Sequence, residues 1–193
     1  ETIVDSIEKD EQKEPVSIIE QAIQRANQAI LEKAKTDIDL DGMGTTVVVA
    51  TIVDNEMYVA NVGDSRLYVI GEEIHQITKD HSFVQEMVRR GELNAKDARV
   101  HPDRNIITRA IGGAKPLEVD FFEVELKEKE RVLMCSDGLT DMIEDEDILK
   151  ILKEQKSTAD GIECLVETAN ENGGNDNITV VVIEPFSDEV KTC

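Results

Sequence analysis

The sequence predicts an α+β fold, with helices segregated from mostly antiparallel strands in a layered sandwich. Three observations carry this. One stretch near the start repeats apolar residues at helical spacing. Several short β-branched runs are joined by tight turns. Regular alternation of strand and helix, which would indicate a doubly wound fold, is absent. A chain of 193 residues fits one domain, 1–193, with a core of useful size.

Residues 1–14 are polar and charged and read as a frayed start. Pro15 suits the first position of a helix. Ile19, Ala22, Ile23, Ala26 and Ile30 then recur on one face, which predicts an amphipathic helix over 15–35. Residues 45–53 are β-branched and nearly all apolar, as in a strand buried on both faces. Asp54-Asn55 turns the chain into a strand over 57–62, and Gly63-Asp64 turns it again into 66–70. Three short strands joined in this way predict an antiparallel meander. Residues 83–91 read as a short helix ending at Gly91, and Asn94 can cap another. The rest of 92–112 is polar and irregular, a long surface excursion. Strands resume over 117–126 and 131–135. Four acidic residues, Glu144 to Asp147, crowd the front of a helix over 145–154, where the helix dipole favours them. Ser157 or Thr158 caps a further helix with Ile162, Leu165, Val166 and Ala169 on its face; Gly173-Gly174 stops it, and the last strand is 177–184. There is no internal repeat.

Composition excludes several classes. Aromatic residues are 3%, so the core is built from Val, Ile, Leu, Met and Ala. The 42 acidic residues against 21 Lys and Arg give a formal charge of −21, which opposes nucleic acid and acidic membrane surfaces. No apolar run reaches the roughly 18 residues of a membrane span, and no secretory leader is visible. Cys135, Cys164 and Cys193 are odd in number and widely spaced, which fits thiols in a reducing cytoplasm rather than a disulfide framework. The bland account of the charge is a solvated surface; the sharper one is that some carboxylates converge and need a divalent cation to offset their repulsion.

Asp64, Asp137 and Asp176 are the carboxylates to which this applies. Each stands at the end of a predicted strand, in Val62-Gly63-Asp64-Ser65-Arg66, Cys135-Ser136-Asp137-Gly138 and Gly173-Gly174-Asn175-Asp176-Asn177. Singly, each reads as a turn residue. Together, flanked by Gly63, Gly138 and Gly174, they suit a hard cation such as Mg²⁺ or Mn²⁺. No Cys/His spacing of the zinc type occurs. Asp37 to Gly42 imitates the first half of an EF-hand loop, but its twelfth position is Val48 where a bidentate Glu is required. Asp80-His81-Ser82 holds the residue types of a hydrolytic triad, but neighbours in sequence do not make that geometry. Cys135 in an apolar strand reads as an inert core thiol.

Met43-Gly44-Thr45-Thr46, Val62-Gly63-Asp64-Ser65-Arg66, Asp80-His81-Ser82, Ser136-Asp137-Gly138-Leu139-Thr140 and Gly174-Asn175-Asp176-Asn177-Ile178-Thr179 occur in the order seen in bacterial PPM-type (type 2C) protein serine/threonine phosphatases, which the chain resembles from about 15 to 185. The resemblance implies a four-layer αββα sandwich with metals in a channel between the sheets. It implies Asp137 and Asp176 as ligands of the first of two catalytic Mn²⁺ or Mg²⁺ ions, and Asp64 with Asp137 at a third. It implies a mobile flap over 83–105, within the 83–112 excursion. The implied reaction is attack of a metal-activated water on phosphoserine or phosphothreonine in proteins, the products of a Ser/Thr kinase, by a cytoplasmic monomer with a signalling role. The family's two opening motifs, Arg-x-x-Asn-Glu/Gln-Asp and Asp-Gly-Met/His-Gly-Gly, have no match here, so two strands of the sandwich and part of the site are expected to be missing from this chain. The competing expectation is a catalytically incomplete module that binds a metal or a partner protein.

Overall fold

In a computed structural model the described residues are 14–113 and 116–186. The expected frayed start, except Glu14, and Cys193 lie outside them. The chain divides into two compact units, each drawn from separate stretches: 1–64 with 80–124, and 65–79 with 125–193. The class is α+β, as the sequence predicts.

In the first unit, helix α1 runs Pro15–Thr36, with Pro15 opening it and Lys33 and Lys35 in its last turn. It buries Ile19, Ala22 and Ile23. Strands β1 (Val47–Val53) and β2 (Glu56–Val62) pair antiparallel from Val47↔Val62 to Val53↔Glu56. The tip between them places Asp54 at φ +55, the left-handed region that Asp tolerates. Helices α2 (Phe83–Arg89) and α3 (Ala95–Val100) follow, and then strand β5 (Asp120–Glu125). Ser82 and Asn94 cap the two helices through their side-chain oxygens, which accept from the backbone N–H groups of Gln85 and Asp97. The sheet order is β1-β2-β5. Ile19 and Ile23 of α1 pack with Ala60, Val62, Ile111 and Leu117.

The second unit holds β3 (Arg66–Ile70), β4 (Ile74–Gln76), β6 (Arg131–Cys135) and β7 (Val180–Ile183), in the order β4-β3-β6-β7 and antiparallel throughout. A single-turn helix α4 (Asp137–Thr140) follows β6, and α5 (Asp145–Glu154) and α6 (Thr158–Glu171) cover the core. Tyr68, Leu133, Leu139, Ile148, Leu152 and Leu165 are its fully buried centre.

Two expectations are corrected. The meander ends at β2, because β3 pairs with β4 and β6 in the other sheet. At the switch Gly63 sits at φ +116, where a Cβ would run into Thr46. The chain is thereby turned out of the first sheet instead of back along it. Strand β1 is not buried on both faces. Among the described strands it is an outer one, half-buried over 47–52, and the buried strand is β2, enclosed between β1 and β5. A Val-rich run reports propensity for a strand, not its place in the sheet. Strand β4 and helix α4 are three and four residues long, too short for any periodicity to signal.

Candidate metal centre

Asp137 begins where β6 ends. Ser136 binds this end of β6 to the entry of β7: its N–H donates to the Thr179 carbonyl (3.1 Å), its hydroxyl donates to the Asn177 carbonyl (3.0 Å), and the same Oγ accepts from Thr179 N–H (3.0 Å). The segments 136–138 and 176–179 are therefore held side by side. Gly138 permits the close approach, since a Cβ there would run into the carbonyl oxygen of Asn177 and lie 3.4 Å from that of Asp176. Asp176 is exposed and turns one oxygen back onto the N–H of Asn177, at 2.6 Å. The turn before it is set by Gly173 and Gly174, both at positive φ, with Asn172 donating to the Met142 carbonyl (2.9 Å).

The structure thus brings Asp137 and Asp176 together and adds Asp141. Asp141 lies one helical turn beyond Asp137, with its N–H on the Asp137 carbonyl at 2.8 Å. Burial pushes the Asp137 carboxyl up, and the negative charges of Asp141 and Asp176 push it the same way, against a backbone N–H from Gly138 that lowers it. The four-residue spacing of Asp137 and Asp141 was the signal available in the sequence, and the motif reading missed it.

Asp64 belongs to the first unit. It follows Gly63, which is gripped at both its N–H and its carbonyl. The Gly63 N–H donates to His81 Nδ1 (3.0 Å), and the Gly63 carbonyl accepts from His81 N–H (2.9 Å) and Asn61 Nδ2 (3.3 Å). His81 and Asn61 are buried. A hydrolytic triad at Asp80-His81-Ser82 is ruled out by the same contacts, because Nδ1 is occupied by Gly63 and Ser82 Oγ caps α2. The loop resembling an EF-hand is an exposed 3₁₀ turn, Ile38–Leu40, with Asp37 accepting from Asp39 N–H at 3.2 Å. Cys135 is a buried thiol outside any disulfide.

Among the described residues no three His, Cys, Asp or Glu side chains converge enough to enclose a metal by themselves. The side-chain donors here are carboxylates, Asp137 partly buried and Asp141 and Asp176 exposed, and their charges repel. That chemistry suits a hard cation that keeps most of its waters and takes one or two protein carboxylates, as Mg²⁺ does. No helix among the described residues is long and apolar enough to cross a membrane.

Comparison with known proteins adds independent information. Residues 1–90 match the model of the protein phosphatase 2C family. The chain is 40% identical over 167 residues to the serine/threonine phosphatase stp of Listeria innocua, covering 86% of this chain and 66% of that protein, so it spans just under two thirds of that relative's length. The crystal structure of the serine/threonine phosphatase Stp1 from Staphylococcus aureus superposes with a TM-score of 0.87 at 33% identity, covering 94% of this chain and 74% of that one. The catalytic domain of the serine/threonine protein phosphatase PstP, solved in complex with two manganese ions, superposes with a TM-score of 0.82 at 34% identity, over 93% of this chain and 76% of that one.

Proposed function

This chain belongs to the protein phosphatase 2C family, and from that premise we propose that it is the greater part of a metal-dependent phosphatase acting on phosphoserine and phosphothreonine in proteins. The observation that carries the proposal is the side-by-side placement of Asp137 and Asp176, with Asp141, at the sheet end where Gly138 clears space. Asp137 and Asp176 hold one divalent cation, Mn²⁺ or Mg²⁺, of a catalytic pair, and Asp64 is a ligand of a further one. When bound, such ions lower the pKa of a coordinated water and place positive charge against the phosphoryl oxygens.

The chain's own residues have plainer tasks. Ser136 fixes the distance between the two acidic segments through its three hydrogen bonds. Gly138 leaves the ligand face free of side chain. Burial of Cys135, two residues before Asp137, keeps that thiol from reach of a phosphate, which supports attack by water and no covalent phosphoenzyme. The substrates are proteins phosphorylated by a Ser/Thr kinase, and Cys135 and Cys164, neither in a disulfide, support a reducing compartment such as the cytoplasm. We place the protein in a signalling role, as a monomer.

The test is hydrolysis of p-nitrophenyl phosphate and of phosphoserine, phosphothreonine and phosphotyrosine peptides by the protein that carries this chain. It is run with saturating Mn²⁺, with and without a chelator, beside Asp137→Ala. Chelator-sensitive release from the serine and threonine peptides, reduced at least a hundredfold in Asp137→Ala, is the expected result. Activity that survives both the chelator and the substitution would sink the reading.

A further inference from the structure

The function proposed above makes no use of Asp80-His81-Ser82, yet in the first unit the histidine of that motif is buried against the turn that carries Asp64. We propose that His81 is a positioning residue for Asp64: its imidazole, as the Nε2–H tautomer, clamps the Gly63 peptide and so aims the Asp64 carboxylate. This rests on the reading of Asp64 as a cation ligand.

The tautomer follows from the contacts. A backbone N–H cannot rotate its proton away, so the Gly63 N–H facing Nδ1 at 3.0 Å requires a lone pair on that nitrogen. The ring proton is then on Nε2, 3.2 Å from Asp120 Oδ2. Arg109 Nη1 lies 2.9 Å from Nε2, but it carries two hydrogens and stands 2.6 Å from Asp120 Oδ1. It therefore directs a hydrogen at the carboxylate, which collects the histidine on one oxygen and the arginine on the other. The imidazole is thus held from behind by Asp120 and presents Nδ1 forward to Gly63.

The need for a clamp follows from the residue clamped. Gly63 sits at φ +116, and a Cβ there would strike Thr46, so only glycine serves. Glycine is also the residue with the most backbone freedom to lose, and here it directly precedes the carboxylate to be aimed. Three hydrogen bonds on the N–H and carbonyl that flank the Gly63 Cα, two of them with His81, remove that freedom before a cation arrives. Groups that orient a metal ligand in this way typically contribute about 10–100-fold to metal affinity.

The closing experiment separates this role from simple core support. Asparagine places an acceptor where Nδ1 stands, whereas glutamine reaches toward the Nε2 position and leaves Nδ1 unreplaced. In metal-free protein, His81→Asn is expected to keep the hydrogen-exchange protection of the Gly63 amide, and His81→Gln to lose it. In Mn²⁺ titrations, the binding lost in Asp64→Ala is expected to survive in His81→Asn and to weaken about 10–100-fold in His81→Gln. The binding that depends on Asp176 stays intact in both. Long-range ¹⁵N–¹H spectra of the unsubstituted protein decide the tautomer even if both variants fail to fold. A proton on Nδ1, or equal Mn²⁺ affinities and equal Gly63 protection in the two variants, would overturn the proposal. If Asp64→Ala leaves all Mn²⁺ binding unchanged, the ligand reading of Asp64 is what fails; the tautomer and the Gly63 amide still decide whether His81 clamps the turn.

Discussion

Asp137 is a carboxylate that the metal-free fold would be more stable without. Burial, then Asp141, then Asp176 raise its carboxyl above the ordinary range, so the folded state disfavours the ionised form relative to the unfolded chain. The sign follows: folding stability is lost as pH rises from the ordinary value through the raised one, and neutral pH lies beyond that window. Asp137→Asn is therefore expected to raise the melting temperature of the metal-free protein at pH 7 while removing the extra stabilisation that Mn²⁺ gives the unsubstituted one. Calorimetry with a chelator and then with excess Mn²⁺ checks both halves; a lowered metal-free melting temperature would contradict the repulsion argument. Asp137 and Asp176 were visible in the sequence because each stands in a short motif beside glycine. Asp141 was marked only by its four-residue spacing from Asp137, and His81 only by a motif without a role, since neither shows in sequence what lies opposite it.

Helix α6 shows how unevenly an element's stability is distributed. Its N-cap is Ser157, which accepts from the Asp160 N–H at 3.1 Å on the exposed surface, and its buried face centres on Leu165. Ser157→Ala is expected to cost about 1 kcal/mol. Leu165→Ala, which empties a fully buried position in the core cluster that includes Leu133 and Ile148, is expected to cost about 2–5 kcal/mol. Urea unfolding with an unchanged m value measures both, and a Leu165→Ala cost at or below that of Ser157→Ala would contradict the packing described. The boundaries of α1, α5 and α6 were legible within a residue or two, because caps, Pro15 and helical spacing act locally. The ranking of β1 and β2 was not: both are apolar runs, and only the neighbouring strand β5 decides which one is enclosed.

For the whole chain, the formal charge of −21 predicts self-repulsion that salt relieves. With a chelator present, raising NaCl from about 0.01 M to about 0.5 M shortens the screening length from roughly 30 Å to a few ångströms and is expected to raise the melting temperature. A fall would mean that attractive pairs outweigh the repulsion. One such group is Asp120. Burial alone would raise its carboxyl, but hydrogen bonds from Arg109 and His81 outweigh that and hold it below the ordinary range. Its contribution is present above the ordinary carboxylate value, about 3.9, and is lost as pH falls through the lower folded value. Asp120→Asn is accordingly expected to be less stable at pH 7 and to lose less on acidification to about pH 3 than the unsubstituted protein; parallel acid curves would assign the acid loss elsewhere. By itself the sequence determined the α+β class, the spans of the long helices and strands, and the carboxylates to suspect, because periodicity, caps and turn residues act over a few neighbouring positions. Tertiary structure alone decided that the chain leaves the first sheet at Gly63, that β3 finds β6 some sixty residues later, and that Ser136 ties Asp137 to Asp176. The physical reason is that strand partners and the groups facing a buried histidine are chosen by long-range packing, for which no local pattern in the chain is a proxy.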